Sequence, residues 1–184
     1  MISVIFLLGS LRSELKQVLK IRPSIQSDEG SIREIIDLSF PVFFRFFASH
    51  SLSSKGPVLV SETAGKIVGF VKLIEFGGGI RECGCILWLA VHPDFRGCHI
   101  ALGLVEAGAN YLFNHGSDAI FASTQKRNFG SLATFGKAGF RTMGFQDLWR
   151  LFGLRVFGLY RNIWYAPGEI VLMKDNAKLL PWAR

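Results

Sequence analysis

Apolar and polar positions along the chain switch repeatedly between a spacing of two and a spacing of three to four, which predicts short strands and helices in turn. Residues 21–23 read as the end of a first strand. Ser27, Asp28 and Glu29 read as a helix start with acidic side chains in the first turn, and Pro41 as a break before a second, Phe-rich helix. Residues 58–62 and 66–74 form an expected hairpin around Thr63, Ala64 and Gly65, and residues 77–79 a glycine joint. A strand over 83–91, a helix over 100–114 ended by Gly116 and a strand over 119–124 follow. A helix led by Asn128 comes next, and residues 141–152 and 169–174 are the expected last two strands. No repeat, low-complexity tract or linker divides residues 21–184, which read as one domain. Residues 1–20 read as an extension, with a short amphipathic helix through Leu11, Leu15, Val18 and Leu19 that packs on the core or contacts a membrane or partner.

Two of these segments carry chemistry. Residues 87–101, LWLAVHPDFRGCHIA, run as an apolar strand into a Pro-Asp turn and then through Arg96 and Gly97 directly into a helix. A strand feeding a tight loop that opens a helix gathers unpaired backbone N–H groups and the positive helix end at one spot, which suits a phosphorylated ligand. Residues 128–140, NFGSLATFGKAGF, are locally self-consistent. Asn128 can cap the first turn, Leu132 and Phe135 share a face, and Gly139 can take the left-handed position that turns Phe140 back onto the helix.

Composition narrows the function classes. The 184 residues are 49% hydrophobic, enough for one domain with a sizeable core, and no stretch reaches the roughly 18 uninterrupted apolar residues of a membrane helix. The first residues, MISVIFLLGS, have no basic flank before the apolar run and make a poor secretory signal. Three cysteines without a C-x-x-C pair, two of them (Cys83 and Cys85) on one face of a strand, favour a reduced cytoplasmic protein with no metal. Residues 126–184 hold 10 Lys and Arg against 3 Asp and Glu, whereas residues 1–125 hold 11 of each, so the net charge of +7 belongs to the last third. That field suits an anionic cofactor or an acidic acceptor. RNA or a ribosome surface is the minority reading, since no RNA-binding motif is present.

The loop formed by Arg96, Gly97, Cys98, His99, Ile100 and Ala101 resembles the R/Q-x-x-G-x-G/A pyrophosphate loop of the GNAT superfamily of N-acetyltransferases, with His99 in place of the middle glycine. Histidine is among the few non-glycine residues enriched at positive φ, and an imidazole can also donate to a phosphate. The Asn128 segment resembles the family's next motif at the right distance. The resemblance covers residues 21–175 and implies an α/β fold, a mixed central sheet flanked by helices whose strands near 87–91 and 119–124 splay apart. It further implies that acetyl-CoA is the co-substrate, that the backbone of Leu89 and Val91 pairs with the pantetheine arm, that the amides of 96–101 hold the pyrophosphate, and that Asn128 and Phe135 border the cofactor.

The same resemblance exposes gaps. The family's frequent proton donor, a tyrosine in the helix after Asn128, corresponds to Phe135, and its frequent base corresponds to Ser123. Glu82 at the start of the central strand is the substitute base, with Glu75 second, each also readable as a solvated strand-end charge. Tyr165 or Tyr160 can replace the acid, and so can water. The run YRNIWYAPGEIVLMKD resembles the last hairpin of ribosomal-protein and other protein N-terminal acetyltransferases, which makes Tyr160, Arg161, Trp164 and Tyr165 acceptor-binding candidates and a protein or peptide N-terminus the acceptor. Packing of those aromatics on the core is an equal reading. A small-molecule amine acetyltransferase and a non-catalytic acyl-CoA sensor remain the alternatives.

Overall fold

The computed structural model of the protein describes residues 19–77 and 82–176. The expected helix within residues 1–20 lies outside them, apart from Leu19, which packs on the core, and Lys20, which opens the first strand. Seven strands form one mixed sheet: β1 (Lys20–Pro23), β2 (Val58–Thr63), β3 (Lys66–Gly77), β4 (Glu82–Val91), β5 (Ala119–Gln125), β6 (Arg141–Met143) and β7 (Glu169–Asp175), in the order β1-β2-β3-β4-β5-β7-β6. Among the described strands only β4 and β5 pair in parallel, and helix α3 (Ile100–Asn114) makes the crossover between them. The other helices are α1 (Glu29–Ser39), α2 (Val42–Leu52), α4 (Phe129–Lys137), α5 (Phe145–Phe152) and α6 (Val156–Asn162).

Alternation along β3 sorts these helices into two layers, because successive strand residues face opposite sides. Val71 and Leu73 join Leu104, Val105 and Leu112 of α3 and Phe135 of α4 in one core. On the opposite face, Phe70 packs with Ile32, Ile35 and Ile36 of α1 and Ala48 of α2. Ile74 and Phe76, further along that same face, pack with Leu148 of α5 and Val156 and Leu159 of α6. The layer that covers this face is thus α1–α2 over one half and α5–α6 over the other. Lys72, between Phe70 and Ile74, is fully buried and donates from Nζ to the carbonyls of Ser54 (2.9 Å) and Gly56 (2.7 Å), tying down the loop that leaves α2. Burial lowers its pKa.

The segment 141–152 departs from expectation. It forms a strand only over Arg141–Met143, after which α5 begins, with the Asp147 carboxylate accepting the Gly144 N–H at 3.1 Å. The inward positions Leu148, Leu151, Phe152, Val156, Leu159 and Ile163 follow helical spacing, so burial of one stripe overrides the strand propensity of the aromatic residues. The chain from Tyr160 to Gly168 is likewise a helix end and turn before β7, since Tyr160 and Arg161 close α6.

Candidate active site

The sheet opens in its middle. Register between β4 and β5 ends at Ile86 opposite Ala122, while β4 stays paired to β3 as far as Val91 and β5 to β7 as far as Gln125. The parting coincides with an irregularity: Leu73 faces Ile86 and Lys72 faces Trp88, leaving Leu87 as an extra residue. Such a bulge bends a strand and re-aims its side chains. Leu87 accordingly packs towards α5–α6, Trp88 towards α2 and Leu89 towards α3. Beyond the bulge, the β5-facing edge of β4 has no strand partner among the described residues. It lines a cavity of about 1240 Å³ that reaches from the start of α3 to α2 and α6.

One end of this cavity is an anion cradle. Gly97 (φ 77°) and His99 (φ 62°) both take left-handed backbone, and His99 is the residue from which α3 starts. No side chain among the described residues caps that helix, so its first-turn N–H groups are open to a ligand. Before it, a single 3₁₀ turn over Pro93–Phe95 is held by His92, whose Nδ1 accepts the Asp94 N–H at 3.3 Å. Arg96 lines the cavity, and its side chain reaches the Ser39 hydroxyl at 3.5 Å. Gly97, His99, Ile100 and Ala101 line it too, as do Leu89 and Val91 from the strand. Cys98 does not; its thiol points to the Arg96 carbonyl at 3.8 Å.

Asn128 caps α4 by accepting the Ser131 N–H at 3.1 Å. Phe135, about two turns on from Asn128, is 3% exposed, with its ring edge-on to Phe140 at 5.0 Å, and still borders the cavity. The fold around it follows the expected capping: Gly139 has φ 85°, and the Phe140 N–H returns to the Phe135 carbonyl. Ser123 lines the cavity at the unpaired edge of β5.

The other end is aromatic. Phe43, Phe44 and Phe47 of α2 stand opposite Tyr160, Trp164 and Tyr165, and Phe47 and Trp164 meet at 6.2 Å between ring centroids. Trp88 forms part of the wall, edge-on to Phe40 at 5.4 Å, with its buried Nε1–H lacking any partner among the described residues. Tyr160 and Tyr165 lie 4.6 Å apart, and the Tyr165 hydroxyl donates to the Glu169 carbonyl at 3.2 Å. Burial, and then Tyr165, push the Tyr160 phenol above its usual value, so it holds its proton at neutral pH. Glu169 closes the turn, its carboxylate accepting the Ala166 N–H at 3.1 Å. It is the one carboxylate among the described residues lining the cavity, against Arg96, Lys137 and Arg161 as cations. Burial, then the Glu169 charge, push the Cys85 thiol upward, so Cys85 stays protonated.

Thirteen of the residues singled out from sequence therefore border one cavity: Leu89, Val91, Arg96, Gly97, His99, Ile100, Ala101, Asn128, Phe135, Tyr160, Arg161, Trp164 and Tyr165. Glu82 does not. It opens β4 at the end where that strand is still paired, about 13 Å back along the strand from the parting point, and its amide and carbonyl are engaged with Asp118. Glu75, opposite Gly84, is equally remote. The residues missed are Glu169, Trp88 and the α2 phenylalanines. A carboxylate opening the last strand was the available signal for Glu169.

Solved structures share this fold. An acetyltransferase from Bacillus subtilis solved in complex with CoA has a TM-score of 0.63 at 15% identity, covering 86% of this chain and 99% of that one. A ribosomal-protein-alanine N-acetyltransferase from Brucella melitensis has 0.60 at 16%, covering 85% and 99%. A chain of the NatC complex bound to Gag peptide and CoA has 0.61 at 20%, covering 86% and 99%. No curated protein sequence matches the chain. The profile of the Acetyltransferase (GNAT) family matches residues 24–140, more than half of the chain, and the chain belongs to that family.

Proposed function

We propose that the protein transfers an acetyl group from acetyl-CoA to a primary amine, the N-terminus of a protein or peptide. The observation that carries this reading is the continuity of the cavity: an uncapped helix start at one end, a strand edge without a partner in the middle, and aromatic rings with a single carboxylate at the other. The residues fit CoA, because the cradle offers backbone donors and Arg96 to a pyrophosphate, and the open edge of β4 offers amide and carbonyl groups to a pantetheine arm. When bound, acetyl-CoA supplies the activated acetyl group as a thioester.

The chain's own residues then have separable tasks. Phe43, Phe47 and Trp164 hold the acceptor's first side chain and exclude water. Glu169, rather than Glu82, takes the proton that the acceptor's ammonium must lose before the nitrogen can attack, directly or through one water. Tyr165, or Tyr160 beside it, holds the proton that the departing sulfur requires. Positioning the amine against the thioester supplies much of the remaining rate.

A binding-only reading draws on Phe135 and Ser123, which leave the family's usual acid and base positions without titratable groups. Incubation with acetyl-CoA and a set of peptides and small amines separates the readings. Acetylation of peptides supports the proposal, transfer to small amines alone replaces the acceptor class, and CoA binding without transfer favours a sensor.

A further inference from the structure

The large apolar side chains that the structure leaves exposed are concentrated on one layer. Apart from Ile25 and Phe129, every such residue described belongs to α1, α2, α5, α6 or the segments joining and ending them. The α5–α6 pair is the sharper case. Its inward stripe of Leu148, Val156, Leu159 and Ile163 is already buried against Cys85, Phe121 and Met173. A second apolar set points outward: Phe145, Trp149, Leu154 and Phe157 are 51%, 41%, 75% and 61% exposed. The rings form a contiguous surface, Phe145 against Trp149 at 5.8 Å and Trp149 against Phe157 at 6.5 Å.

The charges around this surface are mostly positive, three arginines against one aspartate. Arg150, Arg155 and Arg161 are exposed, and no ion pair among the described residues engages them. The one carboxylate between Gly144 and Asn162 is Asp147, already accepting the Gly144 N–H. Aromatic and aliphatic side chains rimmed by unpaired arginines complement a surface that is apolar beneath and anionic above. An anionic bilayer has that layering, since its headgroups attract arginine while Trp and Phe settle at the acyl boundary. A nucleic acid fits less well, because Leu154, the most exposed member of the set, offers a base neither a ring to stack on nor a charge.

We infer that the outer face of α5–α6 docks on the surface of membranes containing anionic lipid. The proposed contact is a peripheral one; among the described residues no helix is long and apolar enough to cross a membrane. Arg161 and Trp164, at the end of α6 and just after it, also line the cavity, so docking brings the acceptor mouth to the lipid surface. Acceptor amines presented at a membrane are then reached in two dimensions.

Flotation of the full chain with vesicles tests this independently of catalysis. Vesicles of phosphatidylcholine with 30% phosphatidylglycerol should carry the protein at least tenfold better than phosphatidylcholine alone, and 0.5 M salt should release most of it. Trp149→Ser with Phe157→Ser, and separately Arg150→Gln with Arg155→Gln, should each cut binding at least fivefold while leaving CoA affinity and melting temperature unchanged. No flotation, equal flotation with both lipids, or binding that survives both double substitutions overturns the inference. So does a concentration-dependent dimer, or RNA binding without vesicle binding, that the same substitutions abolish.

Discussion

Ile86 and Ala122 are the last residues at which β4 and β5 face one another, and the extra residue Leu87 follows immediately. A sheet that opens at one pair leaves its backbone donors and acceptors to be satisfied by something else. Filling that gap should therefore stabilise the whole domain, and the loop at its mouth should decide how tightly it is filled.

The loop prediction concerns Arg96 and His99. Arg96→Glu should weaken CoA binding at least tenfold by calorimetry without changing the melting temperature, since among the described residues the side chain makes one long hydrogen bond, to Ser39. Because His99 sits at φ 62°, His99→Gly should bind CoA at least as well, whereas His99→Val should cost about 1–2 kcal/mol of stability. Unchanged affinity in the Arg96 variant contradicts the cradle assignment. A large loss in the glycine variant means that the imidazole itself holds the cofactor.

A second prediction separates the proton donors. If Tyr165 supplies the proton, Tyr165→Phe should lower kcat at least tenfold with KM for acetyl-CoA little changed. Phe135→Tyr should then alter kcat less than twofold, because the acid is already present. A large gain in the Phe135 variant, with no effect at Tyr165, would assign the wild-type proton to water.

Acid sensitivity should centre on the β1–β2 edge. Arg22 donates to Asp28 at 2.6 Å and 3.1 Å and to Glu62 at 2.7 Å, and the nearly buried Asp28 carboxyl is held below its usual pKa mainly by the Arg22 hydrogen bonds. A depressed carboxyl pKa contributes stability that is present above the unfolded value and lost as pH falls through the folded one. Asp28→Asn should thus cost about 1–3 kcal/mol at pH 7, and the gap from wild type should narrow below about pH 3.9 in urea melts. A gap that persists at pH 2 would locate the loss in packing rather than charge.

Much of this architecture was legible because local chemistry and global fold agree. Asn128 reads as a cap and is one, Gly139 reads as a left-handed turn and has φ 85°, and the helix from Ile100 to Asn114 follows directly from its apolar spacing. The α5–α6 pair was less legible. Phe, Trp and Leu favour strands and buried helices alike, and the stripe from Leu148 to Ile163 becomes decisive only against a surface to pack on. Glu82 and Glu169 show a different limit. Each stands at a strand start, and only the direction in which β4 and β5 separate decides which reaches the cavity. The Phe-rich helix was visible from composition, but its place as a wall facing Trp164 depends on tertiary packing.

The central claim is that this cavity joins acetyl-CoA to a peptide α-amine with Glu169 as base. The most direct measurement incubates the full chain with acetyl-CoA and peptides differing in their first two residues, and locates any added acetyl group by mass spectrometry. The account predicts acetylation at the α-amine, strongest for peptides with a large apolar first residue, and at least a hundredfold slower turnover in Glu169→Gln with CoA affinity retained. Acetylation confined to lysine side chains or small amines, or a Glu169→Gln variant as active as wild type, would contradict it.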